Sequence, residues 1–193
     1  MKFFSIFLAF MFPMMSMCSG GDSNEIMHKF DRDESEIAFK YLNHVRQFPN
    51  EYGEKIGTDL SGIEPRPALI WNDTLAKVAE QKALDMAKRD YLSQLNPEGK
   101  GINFLIDKAG YDLPKEWLKD EKANYFGSVQ GGPKDGVDAI QNLIKGDSAN
   151  RRQLLGTDDF SKDMKDIGIG FVRSYKSTYR TYVCIIIAKH NFK

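Results

Sequence analysis

WNDTLAKVAEQKALDMAKRDYLSQLNPEG, residues Trp71–Gly99, is the stretch on which the fold turns. Leu75, Val78, Ala79, Ala83, Met86 and Ala87 recur at three- and four-residue steps, which places them on one face of an amphipathic helix. Lys77, Glu80, Lys82, Asp85 and Lys88 fall mainly on the other face. Asn72 or Asp73 supplies a cap, because a short side-chain oxygen accepts from the free N–H groups of the first turn. Pro97 has no N–H and Gly99 tolerates positive φ, so Asn96-Pro97-Glu98-Gly99 reads as a turn that no helix passes through. A buried helix thereby delivers a polar segment, centred on Gln94, to the floor of an expected cleft.

Outward from that helix, the bulk properties narrow the field. The chain has 193 residues, which suits one domain, and is 41% hydrophobic and 12% aromatic, enough for a core. Twenty-seven basic residues balance 27 acidic ones, so no net field draws it to nucleic acid or an anionic surface, and no nucleic-acid motif is present. Lys2 followed by the apolar run Phe3–Phe12 reads as a secretory signal over residues 1–17, too short for a stable membrane span. Cys18 closes it, and two outcomes fit. One is lipidation of Cys18 as in bacterial lipoproteins, although Met17 replaces the small residue usual before the cysteine. The other is ordinary cleavage nearby, with Cys18 removed or left free. A single fatty chain holds a protein only marginally, whereas several hold it firmly. Cys184 is the only other cysteine and lies in an apolar run, so it reads as a small buried hydrophobe and the core must supply the stability.

Residues 18–33 are polar and rich in small side chains, the composition of a tether, and the domain is expected over 34–193. Glu34–Phe48 has a helical pattern with Ile37, Tyr41, Leu42 and Val45 on one face, ended by Pro49. Residues 50–70 carry three glycines and two prolines and read as a long irregular loop. Ile102, Leu105, Ile106 and Ala109 make a short helix stopped by Gly110; Tyr125–Val129 has strand character; Gly136–Ile144 is a short amphipathic helix; 146–152 is a polar loop or turn. Ile167, Ile169 and Phe171 alternate with small or polar residues as a half-buried strand. Tyr182–Ala188 is apolar on both faces, the signature of a strand covered on both sides. Helices preceding such strands imply an α+β fold, a three-layer α-β-α sandwich.

Several stretches together resemble the CAP superfamily, the group of cysteine-rich secretory, antigen 5 and pathogenesis-related proteins. Leu42-Asn43-His44-Val45-Arg46 with Pro49 and Tyr52 is similar to the first helix of bacterial members. Leu69-Ile70-Trp71-Asn72, the helix after it and Tyr91-Leu92-Ser93 resemble the next block, which normally ends in Phe-Ser-His before Pro-Asp-Gly. Asn150-Arg151-Arg152-Gln153-Leu154-Leu155 is similar to His-Arg-x-x-Leu-Leu, and Ile167-Gly168-Ile169-Gly170 to Ile-Gly-Val-Gly. The likeness spans about residues 36–190. It implies a central cleft that in relatives carries two histidines and two acidic residues and can hold a divalent metal.

Here the first histidine position holds Gln94, the second holds Asn150, and the glutamate of the Gly-Glu-Asn-Ile block falls at or near Asn124. The histidines His28, His44 and His190 lie elsewhere. Amides are poor ligands for borderline metals and do not titrate near neutrality, so neither a metal, a cofactor nor a catalytic residue is expected in this cleft. No Gly-x-Ser-x-Gly elbow, His-Glu-x-x-His helix or phosphate loop occurs. Asp158, Asp159 and Asp163 read as a solvated loop rather than a calcium site. The resulting expectation is an exported, envelope-held or secreted, monomeric binding protein for a glycan, lipid or peptide, touching a membrane only through a lipid anchor. A weak hydrolase and a surface antigen acting through loops such as 50–68 are the alternatives.

Overall fold

The computed structural model describes residues 27–189. Residues 1–17, Cys18, the first part of the expected tether and His190 lie outside them.

Helix α3 (Asp73–Arg89) forms where the sequence places it, with Asn72 Oδ1 accepting from Leu75 N at 3.1 Å. It ends at Asp90, not at the Pro97 turn. Asp90 takes a left-handed conformation (φ 50°), and its carboxylate is tied to Thr178 N, Thr178 Oγ1 and Tyr182 Oη, each at 2.8 Å. A non-glycine residue is tolerated there because its short side chain makes these bonds.

Two long strands, β4 (Asp166–Ser174) and β5 (Thr181–Ala188), pair antiparallel, with Gly168 opposite Ile186 and Gly170 opposite Cys184. β3 (Gly127–Gly131) adds to the far side of β5, while β1 (His28–Phe30, antiparallel) and the two-residue β2 (Ile70–Trp71, parallel) add to β4. A Cβ on Gly168 would lie 2.1 Å from Ala76 N, and one on Gly170 2.3 Å from Glu80 N, so the backbone of α3 rests directly on these glycines. Ile167, Ile169 and Phe171 point to the other face, toward α1 (Arg32–Gln47), against which α5 (Gly136–Gly146) and α6 (Ser148–Leu155) pack. The expected three-layer α-β-α sandwich is therefore the observed fold. The expectation of a half-buried β4 needs correction: residues 167–172 are all buried, because the small residues receive a helix instead of solvent.

Four further differences have local causes. The folded chain begins before residue 34, because His28–Phe30 pairs with the edge of β4 and Asp31 caps α1. Ile37 is 44% exposed; the buried stripe of α1 is Ser35, Ala38, Leu42, Val45 and Arg46 instead. The loop expected over 50–70 opens with a helix, α2 (Pro49–Ile56): Pro49, which ends α1, is also a favourable first residue for the next helix. The loop expected over 146–152 is mostly α6, started by Asp147, whose side chain caps Ala149 N.

Asn43 and Arg46, singled out in the sequence, act as clamps on the segment between α2 and β2. Asn43 exchanges two bonds with the Leu69 backbone, at 3.2 and 2.7 Å, and buried Arg46 donates to Pro67 O at 3.4 Å and, beyond that segment, to Leu154 O at 2.6 Å. Burial, with Arg66 nearby, pulls the Arg46 guanidinium down to about 10.

Candidate functional site

The three expected cleft amides have separate fates. Gln94 is exposed on the loop between α3 and α4 (Ile102–Lys108). Asn124 turns onto its own strand: its Nδ2 donates to Gly127 O at 2.8 Å and its Oδ1 accepts from Gly127 N at 2.9 Å. β3 is the last strand of the sheet on that side, so the amide stands in for the peptide group of a missing neighbour. Asn150 projects from α6 toward β3, where Ser128 Oγ lies 2.8 Å from its Oδ1. No hydrogen bond joins any two of the three.

What gathers round Asn150 is a different set. Ser128 is fully buried and also lies 2.7 Å from Gln153 Oε1. A hydroxyl has one proton, so one of the two amides must present its NH2 group to Ser128 in place of its oxygen. Ser128, rather than Asn124, is thus the residue of this stretch that meets Asn150. Gln153 lies one helical turn beyond Asn150, at a spacing of three, so both reach β3 from one face of α6. The signal was present, because Gln153 and Gln130 are polar residues within amphipathic elements. Gln130 Oε1 is buried without a hydrogen-bond partner, and so is Gln153 Nε2 when Asn150 is the amide that turns its NH2 to Ser128. Such atoms are uncommon in folded proteins and each calls for an explanation.

The oxygen and nitrogen donors here are a hydroxyl and neutral amides. They do not fit the divalent metal that the fold's relatives can hold, which wants imidazole, thiolate or carboxylate. Among the described residues no three His, Cys, Asp or Glu side chains are grouped to hold a metal ion. His44 is exposed on α1 and His28 lies in β1. Asp158 and Asp159 serve local ends, accepting from Ser161 N at 2.7 Å and from Lys162 at 2.7 Å.

Two grooves flank α3. One, of about 780 Å3, lies between α3 and α4 and is lined by Lys77, Gln81, Lys82, Asp85, Arg89 and Leu105 among others. The other, of about 730 Å3, lies between α1 and α3 and includes Phe39 and Trp71, whose rings meet edge to face at 5.5 Å. Gln94, Asn124 and Asn150 line neither. Trp117 packs within an aromatic cluster with Tyr125, Phe126 and Phe160.

This sandwich has counterparts. The model of CAP, the cysteine-rich secretory protein family, matches residues 40–186. The chain belongs to the CAP family. Among solved structures, an outer surface protein of Borrelia burgdorferi is similar at TM-score 0.55 and 14% identity, covering 86% of this chain and 100% of that one. An extracellular SCP-domain protein of Bacillus anthracis is similar at TM-score 0.54 and 16% identity, over 82% of this chain and 41% of that one. At these identities the likeness is one of fold. No curated protein matches significantly in sequence. Despite the family's description, this CAP chain has two cysteines in all, and Cys184 is free and buried in β5. Burial pushes its thiol up to about 12, as expected of a packing residue rather than a reactive one.

Proposed function

We propose that this protein is an exported CAP-domain binding protein whose recognition site is the amide and hydroxyl cluster between β3 and α6. Ser128, Asn150 and Gln153 form its base, with Gln130 two residues beyond Ser128 on the same side of β3. Ligand is held by hydrogen bonds to a hydroxyl- or amide-bearing group of a glycan, lipid head group or peptide, without metal and without a catalytic residue. The observation that supports it is the buried cluster itself, one hydroxyl between two amides with Gln130 Oε1 buried and unpartnered on the same strand. An amide offers both donors and an acceptor, and the cost of an unmade bond in a buried place is relieved when a ligand makes it. Export is supported by the signal-like residues 1–17, and the similar proteins of Borrelia and Bacillus are described as outer-surface and extracellular. Cys18 is the proposed lipid anchor. Among the described residues no helix is long and apolar enough to cross a membrane.

Thermal shift with three probes tests this: a chito-oligosaccharide, tri-alanine, and dodecylphosphocholine below its micelle threshold. A ligand that binds only the folded state raises the apparent stability. At least one probe should raise the Tm of the protein, and Asn150→Leu with Gln153→Leu should abolish that rise. Stoichiometric zinc binding lost in the same double variant overturns the reading. So does a probe response that the double variant leaves unchanged.

A further inference from the structure

Lys82 plays no part in the site described above, and its surroundings are unusual for a lysine. It occupies the core-facing stripe of α3 and is 2% exposed. A buried ammonium is ordinarily matched by a carboxylate. Here its hydrogen-bond acceptor is a neutral one, Tyr91 Oη at 3.0 Å, with the Tyr91 ring centroid 4.8 Å away. Tyr91 Oη in turn donates to Asp85 at 2.5 Å, and Arg89 grips both Asp85 and Glu98. The two carboxylates are therefore committed to Arg89, and the three groups together carry one net negative charge. The Lys82 side chain forms part of the wall of the 780 Å3 groove between α3 and α4.

We propose that Lys82 is an amine nucleophile that captures a small aldehyde or ketone in the α3–α4 groove as an imine. The Nζ lone pair attacks the carbonyl carbon; the C–N bond forms as the C=O π pair moves to oxygen. A proton passes from nitrogen to that oxygen, giving a carbinolamine. The C–O bond then breaks, the oxygen leaves as water with a second proton from solvent, and the nitrogen lone pair closes the C=N bond. Amine, carbonyl and that solvent proton become protonated imine and water, with no change of oxidation state. A protonated imine carries the same charge as the ammonium it replaces, so the net negative group of Asp85, Arg89 and Glu98 still faces a cation.

The groups around the amine favour this chemistry. Desolvation dominates and pulls Lys82 down to about 8. Asp85 on α3, Glu98 on the following loop and Cys184 on β5 oppose the fall, and Arg89 adds to it. Within a unit or so of neutrality a useful fraction of the amine is thus unprotonated, where a solvated lysine has almost none. A lysine desolvated in this way is a recognised means of making an amine nucleophilic.

Glycolaldehyde added below stoichiometry at pH 7 and fixed with borohydride, followed by peptide mass mapping, tests the proposal. Lys82 should be alkylated about tenfold faster than exposed Lys77 and Lys88 on the same helix, with a rate that rises through pH 8. Tyr91→Phe keeps the ring but removes the acceptor, and should move that midpoint lower. Labelling of Lys82 no faster than Lys77 and Lys88, or a midpoint near that of ordinary lysine, overturns the proposal. The decisive comparison is made within the unmodified protein, so it does not depend on a variant folding.

Discussion

On one face of the sheet a helix backbone lies on bare glycines; on the other, large aliphatic side chains fill the space between strand and helices. Gly168 and Gly170 bring α3 against β4 with no side chain between. Across the sheet, Ile167, Ile169, Phe171, Val183, Ile185 and Ile187 are fully or almost fully buried against the layer of α1, α5 and α6. The first packing is set by backbone contact and leaves no room to adjust. The second is a jigsaw of rotamers, which relaxes in part when one piece shrinks. The polar features follow the same division. The close-packed side forces Lys82, on the buried stripe of α3, beneath the surface and against Tyr91. The aliphatic side accommodates a small amide cluster at its margin, where α6 reaches β3.

The comparison breaks most directly at Gly168. Gly168→Val drives a branched side chain into the Ala76 backbone, which cannot swing away, so the loss should exceed about 4 kcal/mol and the protein should lose its cooperative thermal transition. A variant that melts within a few degrees of the parent would show that α3 can lift off β4. Ile185→Ala on the opposite face should cost about 3 kcal/mol in a denaturant titration and still fold, because a deleted side chain leaves a cavity rather than a collision. Lys82→Met should go the other way. Replacing a buried charge whose hydrogen-bond acceptor is neutral with an apolar chain of similar length should raise stability at pH 7 by about 1–2 kcal/mol.

The same variant has a signature in pH. Lys82 is lowered to about 8 in the folded protein from the ordinary 10.5, so between those values the unfolded chain binds more protons. Stability conferred relative to Lys82→Met therefore rises from pH 8 toward pH 10.5, and the gap between the two chains narrows over that range. Denaturant midpoints at about pH 7 and pH 10 measure it; a constant gap would place the Lys82 amine in an environment like water. Ser128→Ala should have the smallest effect, about 1 kcal/mol, since it removes one hydroxyl from a cluster already missing partners. Its larger consequence should be on probe binding.

Periodicity carried most of the fold. The stripe of α3, the two-faced apolar run of β5 and the Gly-x-Gly alternation of β4 are local patterns with one dominant structural meaning each. Where the sequence misled, it did so by polarity. Lys82 is three residues beyond Ala79 and four beyond Val78, squarely on the apolar stripe, yet its charge assigns it to solvent. The polar residues 146–152 read as loop or turn, although Asp147 caps a helix that begins at Ser148. Asn124 and Gln94 suited a cleft by residue type and order, but Asn124 commits its amide to Gly127.

By itself the sequence determined that a core helix precedes a doubly covered sheet, and that Gln94, Asn124 and Asn150 are amides, which do not titrate near neutrality. These follow from residue type and short-range spacing, which any conformation of the chain retains. Only the tertiary structure decided which polar groups meet. Ser128 reaches Asn150 and Gln153 across 22 and 25 residues because the register of β3 on β5 turns Ser128 toward α6. Lys82 meets Tyr91 because α3 is drawn down onto two glycines about 90 positions away in the sequence. A one-residue shift in either strand would reverse the faces, and no local pattern records that choice.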